Sequence, residues 1–111
     1  MARHHDLTPQ LVPLLAERFK ALGEPARLGI LSELRAGEAT VSDLVERTGL
    51  GQANVSKHLQ HLHAMGLVKR RKDGLYVHYS LADEDVFRMC DIVCGRLDAE
   101  TSERTKVLAA R

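Results

Sequence analysis

The sequence predicts a mainly helical fold with one small β-hairpin. Two stretches carry that expectation. Val41–Val68, VSDLVERTGLGQANVSKHLQHLHAMGLV, reads as a helix, a tight turn, a second helix and the start of a strand. In its second helix, small polar and basic side chains share one face and apolar ones the other. The segment KRRKDGLYVHY follows at once as a basic hairpin. In this order the parts make a winged helix-turn-helix. Its element order is α-α-α-α-β-β-α, in one domain over residues 1–111 with a core over about residues 7–100 and ends that can fray.

Each element has its own signal. Leu7–Leu22 places Leu11, Leu14, Leu15, Phe19 and Leu22 at helical spacing, with Thr8 as cap, Pro9 in the first turn and Gly23 as stop. Glu24 and Pro25 open a second helix through about Arg35, with Leu28, Leu31 and Leu34 apolar and Ile30 beside them; Gly37 ends it. Thr40 and Asp43 have capping-box spacing, with Asp in place of the usual Glu, ahead of a helix over Val41–Thr48 that buries Leu44 and Val45. Gly49 supplies the left-handed turn and Leu50 plugs the space between helices. The fourth helix runs from about Gln52 to Met65 with Val55, Leu59 and Leu62 inward, and Gly66 ends it. Leu67–Lys72 and Leu75–Leu81 are strands around Asp73 and Gly74, a strong two-residue hairpin signal. A last helix covers about Asp83–Glu100 with a stripe of Val86, Phe87, Cys90, Val93, Cys94 and Leu97; the tail Thr101–Arg111 extends it or frays.

The first and last helices carry more apolar surface than a small helical core needs. Their pairing across a two-fold axis, giving a homodimer, is the economical explanation. The composition, 44% hydrophobic and 28% charged, is that of a soluble globular protein. No apolar run approaches the roughly 20 residues that cross a bilayer, and the start of the chain, MARHHDLTPQL, lacks the apolar core of a secretory signal. A cytoplasmic location is expected, without membrane contact, and with the two cysteines as reduced thiols.

Net charge is only +1, but the charge is unevenly placed. Gln52–Lys72 holds five basic residues (Lys57, Lys69, Arg70, Arg71, Lys72) and no acid, leaving 11 basic against 15 acidic residues elsewhere. The positive field lies on the fourth helix and the hairpin, where phosphate contacts need it. A DNA major groove, about 12 Å wide, admits one helix, and Gln52, Asn54, Ser56 and Lys57 suit its base edges and phosphates. Near the hairpin tip, Arg71 and Lys72 are the better candidates for phosphate or minor-groove contact, since alternate strand residues face opposite ways. Double-stranded DNA is the expected partner. A solvated helix face and a charged edge strand are the plain alternatives.

The stretch RFKALGEPARLGILSELRAGEATVSDLVERTGLGQANVSKHLQHLHAMGLVKRRKDGLYVHYSL closely resembles the ArsR/SmtB family of bacterial transcriptional repressors. ALGEPARLGIL, LGQANVSKHLQHLHAMGLV and RRKDGLYVHYSL are its most specific pieces, and the likeness covers roughly residues 15–100. The resemblance implies a homodimer, binding to an imperfect palindromic operator, and release by a ligand, usually a metal or metalloid ion. It places Gln52, Asn54, Ser56, Lys57 and His58 on reading-helix positions. It also implies a regulator and no enzyme; no nucleophile–base pair, phosphate loop or paired carboxylates stand out.

The departures from the family pattern bear on the inducer. Many members carry two cysteines at the start of the third helix; here Thr40 and Ser42 stand there, and neutral hydroxyls are poor ligands for soft ions. Others bind zinc-like ions through histidines and carboxylates on the last helix, which here has no histidine. Cys90 and Cys94 remain, four residues apart on one helix face, with Cβ atoms about 5–6 Å apart. That gap strains a disulfide but suits capture of one soft metal or metalloid ion, a longer sulfur bridge, or a link between subunits. The pair is therefore either a metal or redox sensor or two small buried hydrophobes. No cofactor is certain beyond such an ion. His61 and His63 point to different sides of a helix. Three readings stay open: a repressor with a thiol-based sensor, an ArsR-like DNA-binding regulator with no metal or thiol site, and a winged-helix protein-interaction module.

Overall fold

A computed structural model describes the backbone of residues 4–109 and the side chains of residues 4–103. The chain ends, residues 1–3 and 110–111, where fraying is expected, lie outside the described residues. The order is α1 (Leu11–Leu22), α2 (Pro25–Leu34), α3 (Val41–Thr48), α4 (Gln52–Ala64), β1 (Val68–Asp73), β2 (Tyr76–Leu81) and α5 (Asp85–Ala109). This is the expected five-helix fold with a hairpin.

Local chemistry sets most boundaries. Pro25 sits in the first turn of α2, and the Glu24 side chain accepts the Arg27 backbone N–H at 3.0 Å. The capping box of α3 forms in both directions: Asp43 N–H donates to Thr40 Oγ1 at 3.2 Å and Thr40 N–H to Asp43 Oδ2 at 3.0 Å. Gly49 closes α3 with φ +74°, a backbone state that costs any Cβ-bearing residue. α1 begins at Leu11 rather than at Pro9 after a Thr8 cap, because Thr8 and Pro9 lie in or before a preceding turn in which Thr8 Oγ1 accepts the Leu11 N–H at 3.2 Å. Pro13 is tolerated because it falls in the first turn, where backbone donors have no partner within the helix.

The core lies between α2, α3, α4 and the hairpin. Ile30, Leu31, Leu44, Val55, Leu59 and Leu62 are fully buried. Ala39 bridges Tyr79 with reciprocal backbone hydrogen bonds of 2.9 and 2.8 Å, tying the α2–α3 connection to β2. The hairpin turn falls on Gly74 and Leu75, one residue later than expected. Gly74, at φ +62°, takes the first central position of the turn. The register pairs Arg71 with His78, Lys72 with Val77 and Asp73 with Tyr76.

α5 behaves differently. Its first turn enters the core through Val86 and Phe87, with the Arg35 guanidinium 4.4 Å from the Phe87 ring centre. Beyond that the expected stripe is open: Cys90 is half-buried, and Val93, Cys94 and Leu97 are exposed. The helix continues 25 residues to Ala109, well past Glu100. The molecule extends 61 × 38 × 26 Å, with a radius of gyration of 17.4 Å against about 13 Å for a compact chain of this length. No helix among the described residues is long and apolar enough to cross a membrane.

Candidate nucleic-acid interface

α4 is fixed from beneath. Val55, Leu59 and Leu62 are buried against α2 and α3. The turn before it is held by Thr48, whose hydroxyl donates to the Leu44 carbonyl and accepts the Leu50 N–H at 3.2 Å. Helical spacing then leaves Gln52, Asn54 and Lys57 exposed and Ser56 half-buried on the opposite face. These side chains come from the first two turns of α4. No acid lies from Gln52 to Lys72, so the field over this face is positive.

His58 is placed elsewhere. Its side chain is only 18% exposed, with Nε2 at 3.8 Å from Glu24 Oε2 and Nδ1 at 3.4 Å from the Arg27 guanidinium. It leans on the start of α2 rather than standing with Gln52 and Lys57. Nothing in the periodicity of α4 separates His58 from its outward neighbours; the partners that draw it aside are about thirty residues earlier in the chain.

The hairpin sorts its basic residues by face. Cross-strand pairing puts Arg70 and Lys72 beside Tyr79 and Val77, and Lys69 and Arg71 beside Ser80 and His78. Arg71 is engaged within the protein: its guanidinium donates to Glu38 Oε1 at 2.6 Å and lies 3.7 Å from Asp73 Oδ2. The hydrogen bond from Arg71 holds the Glu38 carboxyl below the usual glutamate range, and Glu38 in turn raises Arg71. Among the described residues no ion pair holds Lys57, Lys69, Arg70 or Lys72. At the tip Leu75 is 98% exposed beside an exposed Tyr76.

Cys90 and Cys94 lie far from this surface in sequence and in setting. They line an apolar cavity of about 440 Å³ between α1, α2 and α5, with Phe19, Leu28 and Leu97 among its walls. Among the described residues no group of three or more His, Cys, Asp or Glu side chains gathers to hold a metal ion. Two thiols from one chain are thus an incomplete ligand set for a closed tetrahedral site.

Comparisons with known proteins agree with this architecture. Residues 24–70 match the model of the bacterial regulatory protein, arsR family. The chain is 39% identical over 85 residues to the HTH-type transcriptional regulator NmtR of Mycobacterium tuberculosis, covering 77% of this chain and 71% of that one. It is 40% identical over 78 residues to a probable mercury resistance operon repressor of Streptomyces lividans, covering 70% of this chain but only 60% of that one. A homodimeric winged helix-turn-helix DNA-binding domain of Mycobacterium bovis, described as a possible ArsR-family regulator, superposes with a TM-score of 0.72. It is 36% identical, with coverage of 88% of this chain and 91% of that one. With its winged helix-turn-helix and these relatives, the chain belongs to the ArsR family of bacterial regulatory proteins, which are transcriptional regulators and not enzymes.

Proposed function

We propose that this protein is a transcriptional repressor that binds a palindromic operator as a homodimer and leaves it when an inducer acts at Cys90 and Cys94. The observation that supports DNA binding most is the split face of α4: Val55, Leu59 and Leu62 buried, Gln52, Asn54 and Lys57 exposed under a positive field. Gln52 and Asn54 have the donor–acceptor pairs that read adenine, Lys57 reaches guanine or phosphate, and Ser56 is permissive. Lys72 serves the wing directly. Arg71 serves it by exchanging Glu38 for a phosphate. His58 contributes from behind the reading face.

The dimer reading rests on the open apolar face. Phe19, Val93 and Leu97 are 56%, 56% and 55% exposed on α1 and α5 around one apolar cavity, the kind of open apolar face that marks an association surface. A second copy covering it sets two reading helices about 34 Å apart, one helical turn of DNA. The test is fluorescence anisotropy on the DNA upstream of the protein's own gene. Phosphate binding gives a steep linear fall of log affinity with log salt. Lys57→Ala lowers that slope by about one and weakens all sequences evenly, whereas Gln52→Ala relaxes sequence preference. A salt-independent affinity, or two variants that bind like the parent, refutes the reading.

The sensor reading rests on where the thiols sit. Cys90 and Cys94 share a face of α5 and a cavity at the open surface. A soft metal or metalloid ion there draws further thiolates from the second copy; an oxidant or reactive sulfur species links sulfurs directly. Either changes the angle between protomers. The leverage is the difference in ligand affinity between free and DNA-bound dimer, typically about 1–3 kcal/mol. The reduced protein on DNA is titrated with As(III), Cd(II), Zn(II), hydrogen peroxide and a polysulfide donor. Release by one agent, lost in Cys90→Ser/Cys94→Ser, is expected. Indifference to all five makes the cysteines wall residues of the cavity only.

A further inference from the structure

His58 sits in a cluster that joins three helices. Arg27, on α2, donates from Nε to the Ala21 carbonyl at 2.6 Å and from a terminal nitrogen to the Lys20 carbonyl at 3.2 Å. Those carbonyls belong to the last turn of α1, where helix geometry leaves acceptors without partners and favours a cation. The other terminal nitrogen of Arg27 lies 3.4 Å from His58 Nδ1, on α4. Arg27 offers only donors there, and Nε2 of the same ring faces Glu24 Oε2 at 3.8 Å. The same Glu24 oxygen accepts the Arg27 backbone N–H at 3.0 Å. Arg27 is thus hydrogen-bonded to α1 and to Glu24, and His58 stands beside both Arg27 and Glu24.

The cluster lies between the two functional halves. α1 makes its main backbone approach to α2, so side-chain links tie it to α4. One is this cluster; the other is Arg18, whose guanidinium reaches Met65 Sδ at 3.0 Å just after α4. Leu22 and Gly23, which follow Ala21, are walls of the cavity that holds the cysteines. A shift of the α1 end therefore meets Arg27 first and the reading helix next.

We propose that Glu24, Arg27 and His58 form a positioning relay that sets the reading helix against the end of α1 and transmits movement of that end to α4. The proposal rests on the DNA-binding reading for its purpose, but the mechanical link stands by itself. His58 is a positioning residue here and makes no phosphate contact.

The test uses the full chain with His58→Leu, which removes both polar contacts, and His58→Gln, whose amide can accept from Arg27 and donate to Glu24. Glu24→Ala, which removes the oxygen that Arg27 N–H and His58 face, is a second probe should His58→Leu fail to fold. Two readouts are taken: amide hydrogen exchange at Lys20–Gly23 and along α4, and DNA affinity across salt. In His58→Leu exchange rises at both segments together, and affinity falls by about fivefold, the scale of one or two partly buried hydrogen bonds. The salt slope is unchanged, and His58→Gln restores both readouts. Unchanged exchange at Lys20–Gly23 in His58→Leu and in Glu24→Ala overturns the relay. A salt slope reduced by about 0.9 in His58→Leu also overturns it, because His58 then neutralises a phosphate. If the parent binds no duplex while exchange behaves as expected, the link holds and the DNA reading fails.

Discussion

The two halves of this molecule are finished to different degrees. α2, α3, α4 and the hairpin close around side chains with no solvent exposure, and side-chain caps set the starts of α2 and α3. Among the described residues, α1 buries Ala21 and α5 buries Val86 and Phe87, while Leu14, Phe19, Val93 and Leu97 stand exposed. The first half holds its shape alone and presents polar side chains outward. The second half leaves an apolar face open, and both cysteines sit in it. On the proposed function, the closely packed part would read DNA, and the part left open would be the one an inducer alters.

The largest expected effect separates the halves by stability. Leu59→Ala removes a fully buried side chain and costs about 2–5 kcal/mol in urea unfolding, at any protein concentration. Leu97→Ala, on the open face, has little effect on the protomer, and its cost grows with protein concentration, as the parent gains from association what the variant loses. If both cost the same at every concentration, the open face is not an association surface.

Gly49→Ala is next. A Cβ there meets no neighbour, so the penalty is conformational, about 1–2 kcal/mol for a left-handed residue, read as a lower Tm. Thr40→Ala loses the cap of α3 for about 1 kcal/mol. The other half of the box, Asp43, governs the acid limb. The Thr40 N–H is the main cause that holds Asp43 below the ordinary aspartate range. A depressed folded pKa gives stability that is present above the unfolded value and lost as pH falls through the folded one. Asp43→Asn therefore flattens the loss of stability below the ordinary aspartate range; an unaltered acid limb contradicts the assignment.

The smallest effect concerns the wing. Glu38→Gln weakens the hold on Arg71 and tightens DNA binding slightly, and in an Arg71→Ala background the gain disappears. A gain that persists without Arg71 comes from the altered charge alone.

The contrast between halves also marks what the sequence discloses. Caps, glycine turns and buried spacing are local, so α2, α3 and α4 follow from Glu24–Pro25, Thr40–Asp43 and Val55–Leu59–Leu62. The hairpin turn is misplaced by one residue because Asp73–Gly74 and Gly74–Leu75 both offer a glycine, and strand register decides between them. The stripe on α5 is visible, but spacing cannot say whether its partner is the same chain, and only Val86 and Phe87 find one there. His58 and Arg71 illustrate the other limit. Both carry residue types suited to DNA, yet Glu24 and Glu38, distant in sequence, engage them.

The most direct test of the account is sedimentation of the reduced protein with its upstream duplex, beside a Val93→Asp/Leu97→Asp variant that places charge on the open face. The account predicts two parent chains per duplex, and a variant that keeps its circular dichroism spectrum, sediments as a single chain and loses tight binding. A single-chain variant that binds the duplex as tightly as the parent would contradict it.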